Sequence, residues 1–481
     1  MINTKQKHKI EYGDFQTPIE LANQICHKLV ELGVNPDIII EPTCGVGNFI
    51  NASLKTFITA QKIIGIDVNS NYLKQIKNNQ QIRSSKITLQ HSDFFTLDLS
   101  TLTNPFNNNI LVIGNFPWIT NSQQGKINAK NLPQKNNFQN HNGLDAITGK
   151  INFDISEWML IKTINYLHNR NSYLAMLCKT SVARKILNYI YEKELNLSYC
   201  STYKIDTKKY FQANVEAGLL FCKFNSVSRI YFCDVFQNLE NDTYQRIGYY
   251  NKTLVRDLKS FEKLKSLFSN TNKIKWRSGI KHDCSKVMEL SKVDDILVNG
   301  FGETVDIEDT FLFPLLKGSD IANSKIVHTN KYVLVTQKNI GDSTEIIKSF
   351  APKTWKYLEK HSRYLNLRKS KIYQNKPRFS VFGVGEYSFK PWKIAICGLY
   401  KKLDFQFIGQ IDDKPTIFDD TVYFLSFDDE EYARKTYRLI TTETAIEFYL
   451  SLIFWDEKRP IKTKILNRLN LTALQKIATL I

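Results

Sequence analysis

The chain is predicted to fold as an α/β protein, a mostly parallel sheet with helices on both faces, followed by an α+β half. Three observations lead there. From about residue 36 to 224, short β-branched runs alternate with stretches of helical periodicity, the pattern of strands joined by crossover helices. The first run leaves through a Gly-x-Gly turn straight into a helical stretch. After about residue 225 the alternation is lost, and aromatic-rich runs follow one another irregularly. The boundary therefore falls within 225–250, and the units are taken as 1–235 and 236–481.

Six runs are read as strands of the first unit: "DIIIE" (37–41), "KIIGIDV" (62–68), "KITLQHS" (86–92), "NILVIGN" (109–115), "SYLAMLCK" (172–179) and "GLLFCKF" (218–224). β-branched and aromatic side chains pack well on a pleated surface, which favours this conformation. The stretch "DISEWMLIKTINYL" (154–167) places Ile155, Trp158, Met159, Lys162 and Leu167 at helical spacing, Ile161 and Ile164 widen the apolar face, and Asp154 reads as its N-cap. Residues 121–153 break the rhythm. They are rich in Asn, Gln, Lys and Gly, and far longer than the usual connection of about 2–6 residues. In the second half, "KYVLVTQ" (331–337), "RFSVFGVG" (378–385) and "TVYFLSF" (421–427) read as strands.

A net charge of +18 over 481 residues and a pI near 9.3 call for a polyanionic partner, nucleic acid or an anionic surface. No stretch has the length of a membrane span, and the N-terminus "MINTKQKHKIEYGDF" lacks the apolar core of a signal peptide, so a cytoplasmic protein without membrane contact is expected. The eight cysteines are dispersed, with no Cys-x-x-Cys pair and no Cys/His cluster at zinc spacing; reduced thiols and no metal are expected. The 121–150 stretch carries four lysines and one acid, which suits either a lid that touches DNA or a plain insertion.

In "EPTCGVGNF" (41–49), Glu41 ends the first strand and Cys44, Gly45 and Gly47 form a tight turn into a helix, where free backbone N–H groups can receive a nucleotide-like ligand. Taken alone, such glycines serve any strand-to-helix turn. Asp67 ends the second strand 22 residues after Gly45, the spacing at which an acid accepts from ribose hydroxyls. With no third fingerprint glycine, a nucleoside fits better than a dinucleotide. The third strand ends "HSDFF" (91–95), placing Asp93 to accept from an adenine amino group and Phe94 to cover the ring. Single acids at strand ends are usually just solvated. Three at successive ends favour a ligand.

The ordered motifs "YGDFQTP" (12–18), "EPTCGVGNF", "GIDVN" (65–69), "HSDFF" and "GNFPW" (114–118) resemble those of the gamma-class N6-adenine DNA methyltransferases, which depend on S-adenosyl-L-methionine. The resemblance covers residues 12–224, and more loosely "FLFPLLKGSDI" (311–321). It implies a Rossmann-like methyltransferase sheet followed by an α+β target recognition domain, double-stranded DNA as substrate, a flipped adenine as target, and a modification role beside a separately encoded restriction endonuclease.

The family tetrapeptide is Asn-Pro-Pro-aromatic; here it is Asn115, Phe116, Pro117 and Trp118. An adenine amino group is a poor nucleophile because its lone pair is delocalised into the ring. Acceptors aimed at its protons stabilise the charge that develops as the methyl arrives. The resemblance assigns that work to the Asn115 side-chain oxygen and the carbonyl of Phe116, which Pro117 keeps extended, and it gives Trp118 the stacking face for the extruded base. Because the second acceptor is a backbone carbonyl, proline at 116 should be accommodated. Thr17, with Phe15 nearby, maps to the segment that closes over the methionine part of the cofactor. "KKYFQANVEAGLLF" (208–221) points to Phe211 on the other face of the base, with Tyr210 as its competitor.

Lys360 to Arg378 holds seven basic residues and no acid, interleaved with Tyr364 and Tyr373, and Lys369, Lys371 and Arg378 are taken as phosphate contacts rather than a merely solvated face. Other readings compete: a methyltransferase acting on RNA or protein glutamine, N4-cytosine methylation, or a DNA-binding specificity protein with a decayed site. A Glu-x-Lys nuclease core occurs nowhere in the chain, which argues against a fused nuclease.

Overall fold

A computed structural model describes residues 15–103, 109–118 and 154–478. The insertion at 121–153, and with it the reading as a lid, lies outside the described residues.

The first unit is built on a ten-stranded sheet: β1 (Ile38–Glu41), β2 (Lys62–Asp67), β3 (Ile87–His91), β4 (Ile110–Asn115), β5 (Ser172–Lys179), β6 (Tyr199–Ile205), β7 (Ala217–Phe224), β8 (Phe232–Phe236), β9 (Tyr244–Tyr250) and β10 (Thr253–Val255). Across the sheet the order is β10-β9-β8-β6-β7-β5-β4-β1-β2-β3. Strands β3, β2, β1, β4 and β5 are parallel neighbours, and β7 enters antiparallel between β5 and β6. This is the Rossmann-like methyltransferase sheet that the motifs imply.

The near-continuous apolar runs reflect burial on both faces. Successive side chains alternate between faces, so Ile38, Ile40, Ile110, Val112, Leu174 and Met176 join one core with the helices Ile155–Leu167 and Thr180–Glu192. Ile39, Leu111, Ile113, Ala175 and Leu177 join the other core with the helices Ile19–Glu31, Asn48–Thr56 and Ser70–Asn78. Asp154 caps its helix as expected, accepting from the Ser156 N–H at 3.2 Å.

Two strand expectations change. Strand β6, "YCSTYKI", carries no apolar run to betray it; its seven residues are held by antiparallel pairing with β7, from Tyr199 opposite Lys223 to Ile205 opposite Ala217. Conversely, 378–385 is not a strand. Phe379 (φ 65°) and Gly383 (φ 75°) turn the backbone into the left-handed region, and Phe382 makes a single bridge, to Lys281. The sheet also runs on through β8 to β10, so the first compact unit ends at Leu258 and the boundary drawn at 235 cuts its β8 strand.

The second unit, from Lys259, is α+β. It holds a five-stranded sheet that includes Leu312–Leu316 and Lys331–Leu334, and a four-stranded sheet that includes Trp392–Cys397 and Val422–Phe427. Among the described residues no helix is long and apolar enough to cross a membrane, and no group of three or more His, Cys, Asp or Glu could hold a metal ion.

Candidate active site at the carboxyl edge of the sheet

Strand β1 lies between β2 and β4, and the chain crosses from β3 at the sheet's edge back to β4 on the other side of β1. The strand order reverses there. In open α/β sheets such a switch opens a crevice at the carboxyl ends of the strands, where ligands bind. Glu41, Asp67 and Asn115 end β1, β2 and β4, and Asp93 follows two residues after β3.

One side of the crevice is the Gly45–Gly47 turn. Both glycines lie in the left-handed region (φ 48° and 83°), and the Gly47 N–H donates to the Cys44 carbonyl at 2.8 Å. Asp67 holds the turn down: one carboxylate oxygen accepts from the Gly45 N–H at 2.8 Å, the other from the Asn69 N–H at 2.7 Å. Asp93 is exposed, and its carboxylate accepts from the Phe95 N–H at 2.9 Å. The turn itself is covered, with the Gln16 side chain over Gly45 and accepting from the Val46 N–H at 3.1 Å; the two acceptor carboxylates beside it match the hydroxyl and amino donors of a nucleoside, so the residues present fit the expected cofactor.

Three of the expected cofactor residues have buried side chains. Glu41 is 3 % exposed, and its carboxylate accepts from the Ile50 N–H at 3.1 Å, capping the helix Asn48–Thr56. Burial pushes that carboxyl well above its ordinary range, the Ile50 N–H opposes this, and the charge of Asp67 adds to it. The Cys44 side chain is buried in the core beneath the turn. Both support the turn from inside. Phe94 is likewise buried, its ring 5.2 Å from Phe116, so it packs rather than presenting an open face. Lys162, expected on an apolar helix face, instead donates to the Phe94 and Phe95 carbonyls at 2.7 and 3.1 Å and stands 5.1 Å from the Phe94 ring.

The other side of the crevice is the end of β4. Phe116 and Trp118, two residues apart with Pro117 between, enter opposite cores. Trp118 lies 5.1 Å from Phe211 and 5.9 Å from Phe15, and Phe15 lies 6.4 Å from Phe211, all ring to ring. The Lys179 ammonium donates to the Trp118 carbonyl at 3.0 Å and pairs with Asp154 at 2.6 Å. Phe211 rather than Tyr210 faces this cluster, because the Tyr210 hydroxyl is taken by Gln24 at 3.0 Å. The Trp118 and Phe211 planes meet edge to face at 62° and both rings are buried, so they close on each other rather than framing a slot for a planar ring.

Asn115 sits between these aromatics and the glycine turn. Its Nδ2 donates to the Phe15 carbonyl at 3.2 Å and to the Thr17 hydroxyl at 3.4 Å. Its Oδ1 is buried with no hydrogen-bond partner among the described residues. An orphaned buried acceptor costs about 1–3 kcal/mol and marks a place where a donor is expected.

In the second unit, Lys369, Lys371 and Lys376 are exposed. Arg378 is exposed and pairs with Glu359 at 3.4 Å. Arg368 and Tyr373 are structural: the guanidinium donates to the Ser380 carbonyl at 2.7 Å and stacks 3.8 Å over the Tyr373 ring, whose hydroxyl donates to the Lys281 carbonyl at 3.0 Å.

No family model matches the chain. Among solved structures, the Type IIL restriction-modification enzyme MmeI, in complex with DNA, superposes with a TM-score of 0.53 at 11% identity, covering 92% of this chain and 63% of that one; this likeness shows the fold. The type II methyltransferase M.NspV of Nostoc sp. (strain ATCC 29411 / PCC 7524) is 62% identical over 478 residues, 99% of this chain and 100% of that protein. By that identity over essentially its whole length, the chain belongs to the type II methyltransferases.

Proposed function

We propose that this protein transfers a methyl group to N6 of an adenine flipped out of double-stranded DNA, as the cytoplasmic modification enzyme of a restriction-modification system whose endonuclease is encoded separately. S-adenosylmethionine is the methyl donor. The observation that carries the reading of an amino-group target is the buried Oδ1 of Asn115 at the switch point, without a partner among the described residues; the choice of adenine over cytosine rests on the resemblance of the ordered motifs.

The cofactor supplies an electrophilic methyl group when bound. Asp67 would hold its ribose hydroxyls, Asp93 its adenine amino group, the Gly45–Gly47 backbone its close approach and Thr17 its methionine part, with Glu41, Cys44 and Phe94 keeping these in place from the core. Asn115 Oδ1 and the Phe116 carbonyl accept from the two target amino protons, which stabilises charge as the nitrogen becomes tetrahedral. Trp118 and Phe211, once parted, stack on the extruded base.

The second unit serves as the target recognition domain. The net charge of +18 and the likeness of the fold to an enzyme described in complex with DNA support this. Exchanging Lys369 and Lys371 together for glutamine should weaken DNA binding and lower the log-log salt slope by up to about 2, with cofactor affinity unchanged. A slope equal to the parent's would place both lysines off the DNA.

The reading is tested by expressing the protein in cells that lack other methyltransferases and identifying the modified base in their plasmid. N6-methyladenine confined to one sequence motif is expected. N4-methylcytosine, or methyl groups found only on RNA or on protein glutamine, would overturn it.

A further inference from the structure

We infer that the Phe15 carbonyl determines which end of the Asn115 amide meets the substrate and that the Thr17 hydroxyl helps hold the amide in place, so that Thr17 is a positioning residue for methyl transfer; this rests on the adenine reading above. A carboxamide has an acceptor end and a donor end of nearly the same shape, and half a turn about its last bond exchanges them. Only the oxygen can accept from an amino group. With the NH2 end outward, donor would face donor and the site would repel its substrate.

The structure contains what breaks this tie. A carbonyl oxygen can only accept, so the group facing the Phe15 carbonyl must be the NH2, and Nδ2 donates to it at 3.2 Å. The Thr17 hydroxyl, which can donate or accept, adds a second contact to Nδ2 at 3.4 Å and so steadies the amide without choosing its end. Turning the amide over would set Oδ1 against the Phe15 carbonyl, two acceptors with no proton between them. Oδ1 is thereby the end left over, and it is the atom that is buried without a partner among the described residues.

The crossing segment that carries these acceptors is itself tied to the cofactor turn. The Asn48 side chain donates to the Thr17 carbonyl at 2.7 Å, and the Val46 N–H donates to the Gln16 side chain at 3.1 Å. From the same turn, the Thr43 hydroxyl donates to the Asn115 backbone carbonyl at 3.3 Å. Residues of "EPTCGVGNF" therefore brace both the amide and the segment that orients it. Neither Thr43 nor Asn48 stands out in the sequence.

The experiment is single-turnover methyl transfer to duplex DNA at saturating S-adenosylmethionine, with Thr17→Val, Thr17→Ser and Asn115→Ala beside the parent. Thr17→Val keeps the shape and removes the hydroxyl. At saturating cofactor its rate should fall about tenfold, the factor for one lost hydrogen bond, while DNA affinity stays within about twofold of the parent's. Thr17→Ser should restore the rate, which a loss of packing would not allow. If Thr17→Val transfers at the parent rate while Asn115→Ala is inactive, the positioning role is overturned. It is equally overturned if the whole defect of Thr17→Val is weaker cofactor binding. Parent-like transfer by Asn115→Ala would instead overturn the adenine reading itself.

Discussion

Asn115→Ala is expected to slow methyl transfer by roughly 10²–10³-fold while cofactor and DNA affinities are retained, because the amide stabilises charge that exists only as the methyl transfers. The ground state makes little use of Oδ1, which is buried and unpartnered among the described residues. Its removal therefore costs the folded state nothing on that side. What the variant loses in the free state is the Nδ2 contacts to Phe15 and Thr17, at 3.2 and 3.4 Å. Single-turnover rates and equilibrium binding, measured on the same preparation, separate the two effects. A variant that binds and transfers like the parent would remove β4's end from the chemistry.

The second large effect is on stability. Phe116→Pro is expected to destabilise the first unit by about 3–5 kcal/mol, the scale for deleting a buried aromatic ring. On sequence grounds proline is acceptable at this position, since the carbonyl assigned to catalysis belongs to the backbone. The structure corrects that expectation: Phe116 is 1 % exposed, and its ring lies in the core against Phe94. In this chain, ring burial anchors a position that a second proline would otherwise stiffen. Denaturant unfolding of the full chain measures the loss. An unchanged midpoint would mean that the ring is dispensable. The same packing joins the end of β4 to the segment after β3, whose carbonyls Lys162 holds at 2.7 and 3.1 Å, so a cavity at 116 should loosen Asp93's surroundings as well.

Strands β1, β2, β4, β5 and β7 are legible in the sequence because each is an apolar run whose side chains alternate into two buried faces, a signal contained within about six consecutive residues; the edge strand β3 is only partly buried and is read from its β-branched start and its place in the alternation. The glycine turn is legible through a pairing: two glycines and an acid 22 residues on can be read from the sequence together, and the structure joins them through the Gly45 N–H and the Asp67 carboxylate. The order of the motifs then places Asn115 at the switch point without any knowledge of its neighbours in space.

What the sequence by itself determined was therefore the sheet's first strands, the turn, and the residue types at the strand ends. The tertiary structure alone decided what those side chains touch. It buried Glu41, Cys44 and Phe94, set the Phe211 ring against Trp118 while the Tyr210 hydroxyl turned to Gln24, extended the sheet through β6 and β8 to β10, and brought Phe15 to Asn115 across 100 residues of chain. The physical reason is range. Backbone conformation follows from the period of nearby side chains, whereas burial and hydrogen-bond partnership depend on which distant element fills the space opposite, and one residue's identity carries no record of that neighbour.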